Sequence, residues 1–424
     1  MRFFSNIRRE AGFLFKQKYL LGILGIAFSL SIFAVWSGLS EMQSQSTTIE
    51  RLKEKDKIDR DSVIAHQPDY GMAAYYTFNL TYSEPSSLAF AAIGQRDIYP
   101  WKHRIRMLAI EGQIYETDAD NPELSFLGRF DFAFLISILL PLFVILLLHD
   151  LRSSEREAGR YDLLLTTAVK QKFLWFPRAF VMSSALGGVI LAPFIVGAIV
   201  SGASFVETAF TIMVVVAHIL FWTLLIFWYT SSRLSSNQNS TKIASVLLSV
   251  WILVSVLIPV ASDVAIDNMV TSPSGADILL TQREAVNDAW DLPESDTWDA
   301  FLADYPQWKD HIDMGPTFEW KWYYAFQQVG DKKVSELSKA YQQATLKKDT
   351  LAGKFALLSP PMLTQRLMSS LAKTDTRAAM QYEQDIRAYH KALRHFYYPL
   401  LFTRAEYRLE TMSTLPKFSD YSTQ

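Results

Sequence analysis

The chain has 424 residues, room for roughly two or three domains, and half of them are hydrophobic. Its slightly positive mean hydropathy fits several membrane spans interleaved with sizeable water-exposed parts. A formal net charge of -2 carries no nucleic-acid signal, and the lack of cysteine excludes disulfides, thiolate metal sites and cysteine nucleophiles.

Crossing a hydrocarbon core takes about 20 mostly apolar residues. Five stretches qualify: 20–39, the shorter 132–148, 179–200, 205–229 and 243–266. Helices are expected, because an open strand leaves backbone groups unpaired in lipid. Pro141, Pro193 and Pro259 lie inside these runs, where membrane helices tolerate them. The expected fold class is mainly α: a polytopic α-helical membrane protein with five spans plus helical or mixed extracytoplasmic domains.

Basic residues set the orientation. Arg2, Arg8, Arg9, Lys16 and Lys18 precede the first span. Arg152, Arg156, Arg160, Lys170, Lys172 and Arg178 separate the second from the third, and Arg233 and Lys242 follow the fourth. The 201–204 turn has no basic residue. This predicts a cytoplasmic N-terminal segment 1–19, cytoplasmic loops at 149–178 and 230–242, and extracytoplasmic segments at 40–131 and 267–424; the expected location is a bacterial inner (plasma) membrane. The first span is expected to be an uncleaved anchor. Its apolar stretch outruns an h-region, Trp36 sits near its end, and Glu41, Met42 and Gln43 form no small-residue cleavage site.

Residues 40–66 are charged and helix-prone, so they are expected to continue the first helix outward. Alternation over 75–82 predicts a strand. Pro85, Pro100 and Pro122 punctuate a small mixed subdomain over 67–128. In the second external segment Pro273, Pro293, Pro306 and Pro316 define short pieces. Stretches 319–358 and 376–402 then read as long antiparallel helices. Tyr382, Ile386, Tyr389, Leu393 and Phe396 form one core-facing stripe. Trp290, Trp298, Trp308, Trp320 and Trp322 are read first as core residues, then as an interface belt or a substrate-contact surface. No internal repeat or low-complexity tract stands out.

Chemistry-bearing motifs are absent from the sequence. There is no G-x-x-x-x-G-K-[ST] loop, no H-E-x-x-H and no G-x-S-x-G. The chain is therefore expected to have no catalytic residues, no metal site and no cofactor of its own. The seven histidines are scattered, and His390 and His395 are five apart, off one helical face. His218 lies inside the fourth span; helix packing is the expectation, a polar contact to a partner helix the alternative. Asp131, Asp150 and Asp263 lie near span ends, where carboxylates are normally solvated.

The informative stretch is 149–167. It leaves the second span as a charged helix through Asp150, Arg152, Glu155, Arg156 and Glu157. Gly159 permits a break. Tyr161, Leu164 and Leu165 then suit a membrane interface. This segment resembles the E-x-E-x-G-T-L-x-x-L-L-x-x-P pattern of ABC type-2 permeases, also called type V exporters. Glu155, Glu157, Gly159, Leu163, Leu164 and Leu165 match; Arg160-Tyr161 replaces Thr-Leu, and Ala168-Val169 stands where Pro is common. The resemblance implies an ATPase-coupling surface comprising Asp150, Arg152, Glu155, Arg156, Glu157, Gly159, Leu163, Leu164 and Leu165.

Further segments resemble a subgroup with large extracytoplasmic insertions. Gly94-Gln95-Arg96-Asp97-Ile98-Tyr99-Pro100 is similar to its G-Q-S-D-x-x-P element. Leu127-Gly128-Arg129-Phe130-Asp131, Leu139-Leu140-Pro141-Leu142 and Leu358-Ser359-Pro360 also fit. Leu371-Ala372-Lys373-Thr374-Asp375 resembles L-A-G-T-D. The resemblance implies a separate ABC ATPase subunit holding ATP and Mg, a second permease chain in a homo- or heterodimer, contact with membrane lipid, and a sixth span beyond Gln424. The expected function is the permease of an ATP-driven exporter. The alternatives are force transmission to a periplasmic partner, or a membrane sensor or scaffold.

Overall fold

The computed structural model describes residues 2–116, 130–167 and 172–422. In chain order the first helices are α1 (Arg2–Leu14), α2 (Lys18–Ala65) and α3 (Tyr70–Tyr76). Strands β1 (Asn79–Tyr82) and β2 (Lys102–Ile105) follow, then α4 (Ile110–Tyr115), α5 (132–148), α6 (Ser153–Glu157) and α7 (Tyr161–Thr167). Next come α8 (Lys172–Val200), α9 (Phe205–Ser231), α10 (Ser240–Met269), α11 (Gly275–Asp288) and α12 (Glu294–Leu302). The last long elements are α13 (Trp320–Phe355), α14 (Pro360–Leu371) and α15 (Thr376–Phe402). The chain is mainly helical, and five helical stretches are long and apolar enough to cross a membrane: α2, α5 continued through α6 (Phe132–Glu157), α8, α9 and α10.

α2 is a single helix of 48 residues, so it extends about 70 Å at 1.5 Å per residue. No proline interrupts it and no glycine follows Gly38, so the apolar half runs unbroken into the charged half. It is seated by close contacts. Ser31 Oγ donates to Ile190 O at 2.8 Å, and a Cβ on Gly38 would stand 1.9 Å from Phe90 O. Only glycine lets the 88–93 loop lie on the helix backbone there.

The strand expected at 75–82 is a correction. Tyr70–Tyr76 is helical because Asp69 caps it, its carboxylate accepting from Met72 N at 2.7 Å. Only Asn79–Tyr82 is extended, paired antiparallel with Lys102–Ile105. A local cap outweighs the aromatic alternation.

Two cores result. One fills the bundle of apolar helices and takes in Leu88, Phe90, Met368 and Ala372 from outside the five apolar stretches. The other joins α3, α4, α12, α13 and α15 through aromatic side chains, such as Phe301 stacked on Phe402 at 5.3 Å. α13 and α15 run antiparallel: Glu319 pairs with Arg404, Asp331 with Arg394 and Asp349 with Arg377. Of the predicted stripe, Tyr382, Ile386, Tyr389 and Leu393 are buried, whereas Phe396 is half-buried and Tyr397 and Tyr398 lie deeper. The tryptophans divide: Trp298 and Trp322 are core, Trp308 and Trp320 half-buried, and Trp290 exposed.

Part of 267–424, expected to be extracytoplasmic, packs into the bundle of apolar helices. α14 packs against the middle of α9 and against α5 and α10. Thr364 Oγ1 and His218 Nδ1 share a hydrogen bond of 2.8 Å. Ser359 Oγ donates to Val254 O at 2.6 Å. α14 is only 12 residues long, too short to register as a span. It meets the apolar bundle as the returning arm of a hairpin whose first arm is α13.

A second correction is an internal repeat. Leu135-Ile136-Ser137-Ile138-Leu139-Leu140-Pro141 in α5 matches Leu253-Val254-Ser255-Val256-Leu257-Ile258-Pro259 in α10. Both place a π-helical turn in the same register, 135–139 and 253–257. A helical proline clashes with the carbonyl four residues back, here that of Ser137 or Ser255. The wider turn relieves that clash. Both π turns pack on α14, and Trp251 Nε1 donates to Ile138 O at 3.0 Å.

Candidate functional site

Two regions gather the residues singled out in the sequence. The first is the segment after α5. α6 ends at Glu157, Gly159 with φ +68° turns the chain two residues later, and α7 begins at Tyr161. That conformation suits glycine and strains a side chain. Glu155 is buried and accepts from Arg160 Nε at 2.9 Å and Arg178 Nη1 at 3.4 Å. Arg178 continues to Glu10 of α1 at 3.0 Å. Arg152 is also buried, its guanidinium over the rings of Trp175 and Phe227. Arg156 donates to the carbonyls of Ser235 and Ser236. Glu157 accepts from Ser240 N at 2.7 Å and Ser240 Oγ at 2.9 Å.

The predicted residues therefore divide. Arg152, Glu155 and Arg156 brace α6 against α1, α8 and the α9–α10 loop. Glu157, Gly159 and Leu163 are exposed; Asp150, Leu164 and Leu165 are half-buried. Tyr161 stacks on Trp175 at 6.0 Å, turning inward. Ala168 and Val169 lie outside the described residues.

The second region joins segments that are far apart in sequence. Asp131 Oδ1 accepts from Phe134 N at 2.7 Å, capping α5, and Oδ2 accepts from Ile93 N at 2.9 Å. Thr374 Oγ1 donates to Ala92 O at 2.7 Å, and Gln95 N donates to Thr374 O at 2.8 Å. Gly94 has φ +55°, and a Cβ there would stand 2.6 Å from Thr374 O. Lys373, where the resembled pattern has Gly, adopts φ +52°. Three of the resembling segments thus form one knot: 94–97, Asp131 and 371–375. Residues 127–129 of the second segment lie outside the described residues.

Asp131 was expected to be solvated; it is 4% exposed. Burial pushes its carboxyl up to about 6, although both N–H donors favour the ionised form. Sequence reasoning also missed Thr364, Gln365 and Arg366 on the inserted helix α14 and Ser255 on the π turn beside it. Only the repeated Ser-x-x-x-Pro pattern signalled any of them.

Residues 277–420 match a family described as a domain of unknown function, DUF3526. That match spans the end of the chain from α11 through α15 and includes the inserted α14. No curated protein and no solved structure matches the chain.

Proposed function

We propose that this chain is the membrane-spanning permease subunit of an ATP-driven ABC exporter, lying in a bacterial inner membrane with its N-terminus in the cytoplasm. The observation that carries this reading is the braced α6–Gly159–α7 element. It follows directly from α5, and ion pairs and hydrogen bonds tie it to α1, α8 and the α9–α10 loop. A force applied to it reaches several apolar helices together. A separate ATPase subunit would dock on the exposed Glu157–Leu163 face, holding ATP and Mg itself, and a second permease chain would complete the dimer. Nucleotide would shift the bundle only by its differential effect on two states. In this arrangement α14 is a re-entrant helix, with Leu357 and Leu358 at the hairpin tip facing lipid.

Force transmission to a periplasmic partner is the second reading. The unbroken α2 favours it, since one rigid helix joins the apolar bundle to the outer core. Purification of the tagged chain from native membranes tests the proposal. A stoichiometric nucleotide-binding subunit with ATPase activity supports the permease; a chain that purifies alone and never stimulates hydrolysis rejects it.

A further inference from the structure

A cavity of about 740 Å³ lies between the two π turns, α14 and the 93–98 loop. That is the size range of small-molecule sites. Its wall is chemically two-sided. Phe134, Ile138, Pro259 and Met362 supply an apolar side from the bundle and α14. Four aspartates, including Asp131 and Asp375, supply an acidic side, with one lining guanidinium, Arg366.

Arg366 is already engaged. Its Nη1 and Nη2 donate to the two oxygens of Asp349 at 2.6 and 2.7 Å, and Arg377 approaches the same carboxylate from outside at 3.5 Å. Asp131 and Asp375 both cap helices through backbone N–H groups. Such donors carry no full charge, so the wall keeps net negative charge.

The π-turn serines differ in one respect. Ser137 Oγ lies 2.7 Å from Ala133 O and 3.0 Å from Gln365 Oε1. Ser255, its counterpart in the repeat, is 8% exposed and lines the cavity, yet its Oγ has no partner among the described residues. That enclosed oxygen adds unshared lone pairs to a wall that is already acidic.

We propose that this cavity binds a hydrophobic organic cation, with its apolar groups against Phe134, Ile138 and Met362 and its positive charge held near Asp131 and Asp375. As a cargo site it rests on the permease reading; as a binding site it does not. The test measures binding alone, with the full chain in non-ionic detergent and neither nucleotide nor partner present. Its failure therefore leaves the ATPase co-purification result standing, and the reverse holds too.

The probes are tetraphenylphosphonium and its isosteric anion tetraphenylborate, followed by isothermal titration calorimetry. The cation is expected to bind saturably and the anion about tenfold more weakly or worse, as like charges in a partly dry site require. Asp375→Asn keeps an N-cap oxygen for Ala378 and removes only charge, so it should weaken the cation about tenfold. Ser255→Phe, which fills the cavity, should abolish binding. If that variant does not fold, Met362→Trp fills the space from α14 instead. Equal affinity for both probes, or a folded Asp375→Asn with unchanged cation affinity, overturns the proposal.

Discussion

Asp131 Oδ2 accepts a hydrogen bond from Ile93 N at 2.9 Å, joining residues 38 apart in the chain. The same carboxylate caps α5. One side chain thereby fixes both the start of an apolar helix and the loop that lies on α2. Asp131→Ala removes the cap and leaves a buried N–H unsatisfied. The expected loss is about 2–4 kcal/mol, read as a lower thermal midpoint in detergent.

The same residue sets a pH dependence. Its folded value is raised from 3.8 to about 6. The folded state then holds the proton more tightly than the unfolded state, so this contribution to stability is complete below the unfolded value and is lost as pH rises through about 6. Asp131→Asn should flatten that part of the midpoint-against-pH curve. An unaltered slope would show that other groups produce it.

Lys373 occupies a left-handed conformation at φ +52°. Lys373→Gly should be neutral or raise stability by up to about 1 kcal/mol, because relief of steric strain is partly offset by a more flexible unfolded chain. Gly94→Val should do the reverse, adding a side chain that collides with Thr374 O. Paired denaturation curves compare the two.

Arg394 and Asp331 form a buried ion pair of 2.5 Å, and Asp331 also accepts from Ile110 N and Gln282 Nε2. Arg394→Ala leaves that carboxylate buried without its cation. A cost of about 3–5 kcal/mol is expected, seen as loss of folded protein on size-exclusion chromatography.

At α6, Glu157→Lys should repel Ser240 N–H and reverse the charge of the exposed face. In the reconstituted complex it should leave basal hydrolysis intact and uncouple it from transport. Gly159→Val places a β-branched residue at φ +68°, a strain of about 1–2 kcal/mol. Full coupled activity in both variants would remove α6 from the coupling role.

What the sequence determined by itself was local. Five apolar runs are long enough to be seen against any background, and each forms a helix of the length and apolarity that a membrane crossing requires. Gly159 marked a break because its neighbours are helix-formers and it alone accepts a positive φ cheaply. Tertiary structure decided the rest. α14 has neither the length nor the apolarity of a span, so its burial depends on α13 delivering it and on Thr364 and Ser359 finding His218 and Val254. Asp131 resembles a solvated span-end carboxylate until Ile93 folds over it. The partners of both lie far away along the chain, and burial by distant partners leaves no periodic mark on the residues that undergo it.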